Sequence, residues 1–271
     1  MRAWLTLCLG LLAAASGQCA SLQPTDEDPF PQVAQAYLVE RDGESIWRRN
    51  ATQRLPQASL TKLMTALLVS EQLAPEVPVR VDAAAARETG SRIGLREGET
   101  LRAQDLLAAT LIASANDACR ALADHVGGNE AAFVQRMNQR ARDMGLRNTH
   151  YRNACGHDAP GHYSSAEDLR TLALALMKNP QLAALVGQEQ MQIASLDTRR
   201  SFSMENKNAL VGRYPGTVGI KTGTTPQAGK CLVALVRRGA HTVLLVLLKG
   251  QDRWWDAVDI LDIAFARNST P

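Results

Sequence analysis

Ser59 and Lys62 stand three residues apart in Ser59-Leu-Thr-Lys62, a spacing that puts both side chains on one face of a helix. At a helix start, free backbone amides and the helix dipole favour negative charge. A serine there can be a nucleophile whose own N–H helps hold an oxyanion. A neighbouring lysine can take its proton if burial lowers the lysine pKa. The competing reading is a serine cap beside a solvated lysine. Ser114-Ala-Asn116 follows an apolar helical run ending at Ala113. Such a loop offers Ser114 for proton relay and Asn116 for a substrate amide, or else one of them caps the next helix. Lys221-Thr-Gly-Thr224 ends a β-rich run. Gly223 lets a second backbone approach the strand edge. A peptide can pair there, with the Thr224 N–H as a second oxyanion donor, and Lys221 with Thr222 suits a carboxylate. The bland reading is a plain strand end entering the turn at Thr225-Pro226.

These side chains need elements to hold them. Val33 to Glu40 reads as a strand, Arg41-Asp-Gly-Glu44 as a turn, and Ser45 to Arg49 as the return strand of a hairpin. Ala58 to Leu73 reads as a helix after Pro56. From Asp82 to about Leu185 the pattern is mostly helical, with runs at Leu101–Ala113, Asp117–Val126, Glu130–Met144 and Ala166–Met177. Thr217–Lys221, Lys230–Arg237 and Thr242–Lys249 are short β-rich runs that suggest an antiparallel meander. In the closing helix, Asp252 to Ala266, an apolar face recurs at Trp254, Val258, Leu261 and Phe265. Strands at both ends and helices between them predict an α+β fold: an antiparallel sheet with flanking helices and an inserted all-α lobe. The expected boundaries are 32–81 plus 190–271 for the α/β lobe and 82–189 for the helical lobe, within one catalytic domain spanning 32–271. A cleft between two such lobes is a natural place for a site.

The 271 residues are 45% hydrophobic and 21% charged, ordinary globular values that exclude disorder. A net charge of +3 gives no field suited to nucleic acid. Six lysines stand against 24 arginines, so Lys62 and Lys221 are conspicuous. Residues 1–20 read as a signal peptide, with Arg2, the apolar run Trp4–Ala15 and small residues after it; cleavage is expected after Gly17 or Ala20. Cys19 lacks a fitting lipobox, since Ser16 and Gln18 occupy the positions that need aliphatic and small residues. Residues 21–31 read as an extended leader. Export places the chain in an oxidising compartment, where Cys119, Cys155 and Cys231, plus Cys19 if cleavage precedes it, are either free buried thiols or supply one disulfide of undetermined pairing. A zinc site is not expected, because His157 and His162 have no third ligand nearby and read as loop histidines on a polar surface. Gly223 to Lys230 is one residue too long for a P-loop and puts Cys231 where Ser or Thr belongs. No GxSxG elbow supports a Ser-His-Asp hydrolase.

SxxK, SxN and KTG occur in order, 55 and 107 residues apart. This is the motif set of penicillin-binding proteins and class A β-lactamases. Ala58-Ser-Leu-Thr-Lys-Leu-Met-Thr65, Ser114-Ala-Asn-Asp-Ala118, Asp158-Ala-Pro-Gly161 with Ser164-Ser165, Asn206-Lys-Asn208 and Gly219-Ile-Lys-Thr-Gly-Thr224 resemble the serine D-Ala-D-Ala carboxypeptidase family of low-molecular-mass penicillin-binding proteins. The resemblance runs from about Ala36 to Leu248 and implies the β-lactamase/transpeptidase-like fold. It implies Ser59 as acyl-ester nucleophile, Lys62 as base, and Ser114 and Asn116 along the cleft. It also implies Lys221 and Thr222 on the substrate carboxylate, Gly223 beside them, and the Ser59 and Thr224 amides as oxyanion hole. The implied substrate is a peptidoglycan stem peptide losing D-alanine, with β-lactams as inhibitors and no cofactor.

Two departures qualify the match, and rival readings remain. The chain stops at Pro271, so the resemblance implies a soluble periplasmic form without the family's anchoring helix. Gly156-His157 stands where the family more often has Gly-Leu, placing a histidine near the cleft. A class A β-lactamase would need a Glu to activate the deacylating water. Glu167 is the candidate, although Ser165-Ala-Glu-Asp-Leu169 reads as a helix start with Ser165 as N-cap and Asp168 at the capping-box position. The motif set is also compatible with a DD-endopeptidase that cuts peptidoglycan cross-links, and with an inactive peptidoglycan-binding protein.

Overall fold

The computed structural model describes residues 29–197 and 199–267. The expected signal peptide and residues 21–28 of the leader lie outside the described residues. Five strands make one antiparallel sheet in the order β2-β1-β9-β8-β7: β1 Ala34–Arg41, β2 Glu44–Arg49, β7 Thr217–Thr225, β8 Gly229–Arg238 and β9 His241–Gly250. The meander β7-β8-β9 and the hairpin β1-β2 are the expected ones. They join where β1 pairs with β9, Tyr37 opposite Leu247 and Val39 opposite Leu245.

The alternation along these strands divides the core. Leu232, Ala234 and Val236 of β8, with Val243, Leu245 and Leu247 of β9, face the closing helix α8, Arg253–Ala266. Val233 and Leu235, with Leu244, Val246 and Leu248, face the larger helical layer. Both faces of the sheet are covered, which is why β8 and β9 read as continuous apolar runs rather than alternating ones. The face of α8 differs from expectation. Ala257, Ile260, Leu261 and Ala264 are buried, while Trp254, Val258 and Phe265 are only partly buried. The two alanines let the helix approach the sheet closely, and the large side chains flank the contact.

Between the sheet's two halves lie α1 Lys62–Gln72, α2 Ala83–Ala86, α3 Ala103–Leu111, α4 Asn116–Gly127, α5 Glu130–Asp143, α6 Ala166–Met177 and α7 Pro180–Val186. The α6 boundaries match the expected ones, and the Ser165 hydroxyl accepts the Asp168 N–H as an N-cap at 3.2 Å. Asp168 does not complete a capping box. Its carboxylate instead accepts the Asn148 N–H and the Thr149 hydroxyl, both at 2.7 Å. The segment 82–189, expected to be all-helical, is not purely so. Thr100–Arg102 forms β4, paired with β3 Pro78–Arg80, so α3 begins two residues later than expected. The hairpin β5 Gln190–Ala194 with β6 Ser201–Glu205 was not read from the sequence, though the buried alternation Ile193, Phe202 and Met204 carries its signal.

Candidate active site

The turn that carries Ser59 is built by close backbone contacts. Ser59 lies in a 3₁₀ turn, Ala58–Thr61, ahead of α1, and its side chain is not a helix cap. Ala58 adopts φ +49, in the left-handed region that costs a residue with a Cβ. Two glycines pack on this turn. A Cβ on Gly156 would overlap the Ala58 carbonyl, and one on Gly223 would stand 2.9 Å from Ser59 N and 3.0 Å from Ala58 Cβ. The backbone that approaches β7 at Gly223 is therefore the Ser59 turn itself. From behind, the Arg152 N–H donates to His162 Nδ1 at 3.0 Å, which leaves the proton on Nε2. That Nε2 lies 2.7 Å from the Thr61 hydroxyl, which donates to the Ala58 carbonyl at 2.8 Å. His162 is thus buried and structural rather than a surface loop residue, and burial lowers its pKa to about 4. A neutral imidazole matches the single-donor role.

Lys62 is fully buried. Its Nζ lies 3.1 Å from Ser59 Oγ, 2.6 Å from Asn116 Oδ1 and 2.5 Å from the Cys155 carbonyl. Burial lowers its pKa from 10.5 to about 7, against the opposing pull of Glu88 and Asp117. Near neutral pH a large fraction is therefore the free amine, whose lone pair can accept a proton. Asn116 is held in turn by donating Nδ2 to the Thr89 carbonyl at 2.6 Å. The next residue, Asp117, accepts the N–H groups of Gly94 and Leu95 at 2.9 Å each, tying the 91–95 segment to the start of α4.

Ser114 has φ +58 and is buried. Neither it nor Asn116 caps α4, whose N-cap is Ala115 with no side-chain bond. Ser114 Oγ accepts from Lys221 Nζ at 2.9 Å, and Lys221 also donates to the Thr222 carbonyl at 2.9 Å. Lys221 is buried, and desolvation, followed by the charges of Lys62, Arg253 and Lys207, holds its pKa well below the ordinary lysine value. Lys221-Thr222-Gly223-Thr224 lies within β7, which continues to Thr225, and not at the strand's end. Because β7 is the sheet's outer strand, one side of it has no strand partner. Behind it, Arg253 donates to the Gly223 carbonyl at 2.9 Å and to Thr224 Oγ1 at 3.1 Å.

Ser59, Lys62, Ser114, Asn116, Lys221 and the Gly223 backbone thus converge: hydrogen bonds link Lys62 to Ser59 and Asn116 and Lys221 to Ser114, and Gly223 packs on the Ser59 turn. Sequence reasoning singled out Gly156-His157 and Asp158 in the loop 153–158 but missed the roles of Asn153 and of the Cys155 carbonyl. Asn153 Oδ1 accepts the N–H groups of Gly156 and His157, Cys155 supplies a carbonyl to Lys62, and Asp158 accepts the Thr225 hydroxyl at 2.6 Å. The Asn153-x-x-Gly156 turn pattern was the available signal. His157 is partly exposed and bonds Glu88 at 2.9 Å. Glu167 pairs with Arg48 of β2, at the sheet edge opposite β7, and is not part of this cluster. Cys119 and Cys155 form a disulfide, and Cys231 is a buried free thiol. Among the described residues no group of His, Cys, Asp or Glu is placed to hold a metal, and no helix is long and apolar enough to cross a membrane.

Comparison with known proteins agrees with this geometry. Residues 25–252 match the peptidase S11 family model, described as D-alanyl-D-alanine carboxypeptidase. The chain is 35% identical to D-alanyl-D-alanine carboxypeptidase DacF of Bacillus subtilis, over 88% of this chain and 64% of that protein. It is 30% identical to DacB2 of Mycobacterium tuberculosis, over 92% of this chain and 88% of the relative. The chain thus spans under two thirds of the Bacillus protein and most of the mycobacterial one. The crystal structure of the Streptomyces K15 DD-transpeptidase superposes with a TM-score of 0.82 at 28% identity, covering 87% of this chain and 98% of the other. The sheet with its two helical layers is accordingly the transpeptidase fold. With the family model spanning residues 25–252, the chain belongs to the D-alanyl-D-alanine carboxypeptidase family, the serine peptidases of family S11.

Proposed function

We propose that this chain is a serine D-alanyl-D-alanine carboxypeptidase that removes the terminal D-alanine from peptidoglycan stem peptides. The observation that carries this reading is a buried Lys62 amine 3.1 Å from Ser59 Oγ, with a pKa lowered to about 7. Neutral Lys62 takes the Ser59 proton as Oγ attacks the carbonyl carbon of the penultimate D-alanine. Charge builds on the carbonyl oxygen, facing the amides of Ser59 and Thr224. The C–N bond then breaks, and the proton held by Lys62 passes to the leaving amine, with Ser114 as relay. Lys221 and Thr222 hold the substrate's terminal carboxylate, whose charge favours protonated Lys221. Water cleaves the acyl-enzyme and restores Ser59. Resolution by an amine instead would be transpeptidation, the activity named for the Streptomyces K15 structure.

β-Lactams acylate the same serine in this reading. The placement of Glu167 on the far edge weighs against a class A deacylation route. The buried disulfide supports an exported, periplasmic protein with residues 1–20 as signal peptide. Incubation with a stem pentapeptide tests the substrate. Free D-alanine is the expected product. Cleavage of cross-linked dimers without D-alanine release from pentapeptide would replace the reading with an endopeptidase.

A further inference from the structure

The disulfide between Cys119 and Cys155 spans 36 residues with its Cα atoms 5.9 Å apart. Each half adjoins a group that touches the base. Cys119 lies on α4 three residues after Asn116, whose Oδ1 accepts from Lys62. Cys155 supplies its own carbonyl to Lys62, and Gly156 follows it against the Ser59 turn. The preceding residue, Ala154, receives the Thr65 hydroxyl of α1 at 2.6 Å and donates its N–H to Glu130 of α5 at 3.0 Å. The bridge therefore sets the spacing between α4 and an irregular loop at the point where both grip Lys62.

We propose that the Cys119–Cys155 disulfide is a positioning element for Lys62, and that acylation at Ser59 depends on the bridge being closed. The proposal rests on the reading of Lys62 as the base. Opening the bridge takes two electrons from a dithiol. One thiolate attacks a bridge sulfur and expels the other as thiolate, and the reagent's second thiol displaces the mixed disulfide. Two protein thiols and a cyclic disulfide remain. Two unbonded sulfurs must then stand roughly 1.5 Å or more farther apart than bonded ones. That displacement separates the Cys155 carbonyl from Asn116 and admits water beside Lys62. With desolvation relieved, Glu88 from the segment after α2 and Asp117 of α4 favour the charged amine; Lys221 of β7 faces the same charge, which lowers its own pKa.

The test uses the full mature chain in three forms: oxidised, reduced with dithiothreitol, and carrying Cys119→Ser with Cys155→Ser. Circular dichroism sets a temperature at which all three are folded. Benzylpenicillin acylation is followed against pH, and reductive methylation of Lys62 is followed by peptide mapping. The open forms should acylate on the order of 10–100-fold more slowly at neutral pH, the effect of displacing a reacting group by about an ångström. Their acid limb should move to higher pH, with partial recovery of rate in alkali, and Lys62 should methylate faster. An unchanged rate, limb and Lys62 protection would overturn the proposal. So would a slower rate with an unmoved limb and a still-protected Lys62, since that is a purely structural effect. If the oxidised chain forms no adduct at all, the assignment of Ser59 and Lys62 fails, while methylation still decides whether the bridge holds Lys62.

Discussion

Lys62 gathers the chemistry of this site into one amine. Three acceptors surround it, yet desolvation outweighs the neighbouring carboxylates and brings its pKa to about 7. Only the deprotonated amine can accept the Ser59 proton, so acylation should rise with pH through a limb near 7. A limb near the ordinary lysine value would contradict the role of burial. Lys62→Arg keeps a cation that does not deprotonate, and should cost about 10²–10⁴-fold in acylation rate, the usual range for a general base. Ser114→Ala removes one of two acceptors that Lys221 has, at about 1–3 kcal/mol for a buried donor left without a partner; it should raise KM for peptides bearing a free C-terminal carboxylate more than for amidated ones. An equal rise for both would place Ser114 outside carboxylate binding. The Ser59–Lys62 pairing was legible because helical spacing fixes which side chains share a face. The Cys155 carbonyl was not, because backbone acceptors leave no residue-type signature.

Among the elements, the Ser59 turn is the one most sensitive to backbone crowding. Gly223→Ala puts a methyl 2.9 Å from Ser59 N, and no flexible side chain is there to yield. The turn must shift, and acylation should fall by about 10²-fold, with a thermal midpoint close to that of the parent chain. Normal acylation by this variant would show that the turn tolerates displacement. Gly156→Ala adds a positive φ to an overlap with the Ala58 carbonyl, so it should lower the melting temperature as well as activity. Long apolar runs made β8, β9 and α6 readable. The hairpin β5–β6 was missed because its strands are five residues each and alternate only briefly. The expected face of α8 packs on the core, but periodicity, which weighs bulky residues, did not show that Ala257, Ile260 and Ala264 are buried with Leu261 at its centre while Trp254, Val258 and Phe265 flank them.

At the scale of the whole molecule, the site exists because the helical layer meets the sheet. Lys221 of β7 bonds Ser114 across that junction, and Lys62 of α1 bonds Asn116 of α4 within the helical layer. The disulfide reinforces the helical side. In the loop-entropy account, closing a 36-residue loop stabilises the fold by about 4 kcal/mol, so Cys119→Ser with Cys155→Ser should lower the melting temperature clearly. An unchanged melting curve would mean the bridge does not form in solution. Sequence alone left the pairing of Cys119, Cys155 and Cys231 open, since nothing in their spacing reports which α4 residue faces which loop.

Every step of the proposed chemistry passes through Ser59 as the nucleophile of this fold. Intact mass after brief exposure to benzylpenicillin tests that role most directly, with Ser59→Ala alongside. One covalent adduct per chain is expected, mapped to the peptide containing Ser59 and absent from the variant. An adduct that persists in Ser59→Ala, or no adduct and no penicillin turnover in the parent chain, would contradict it.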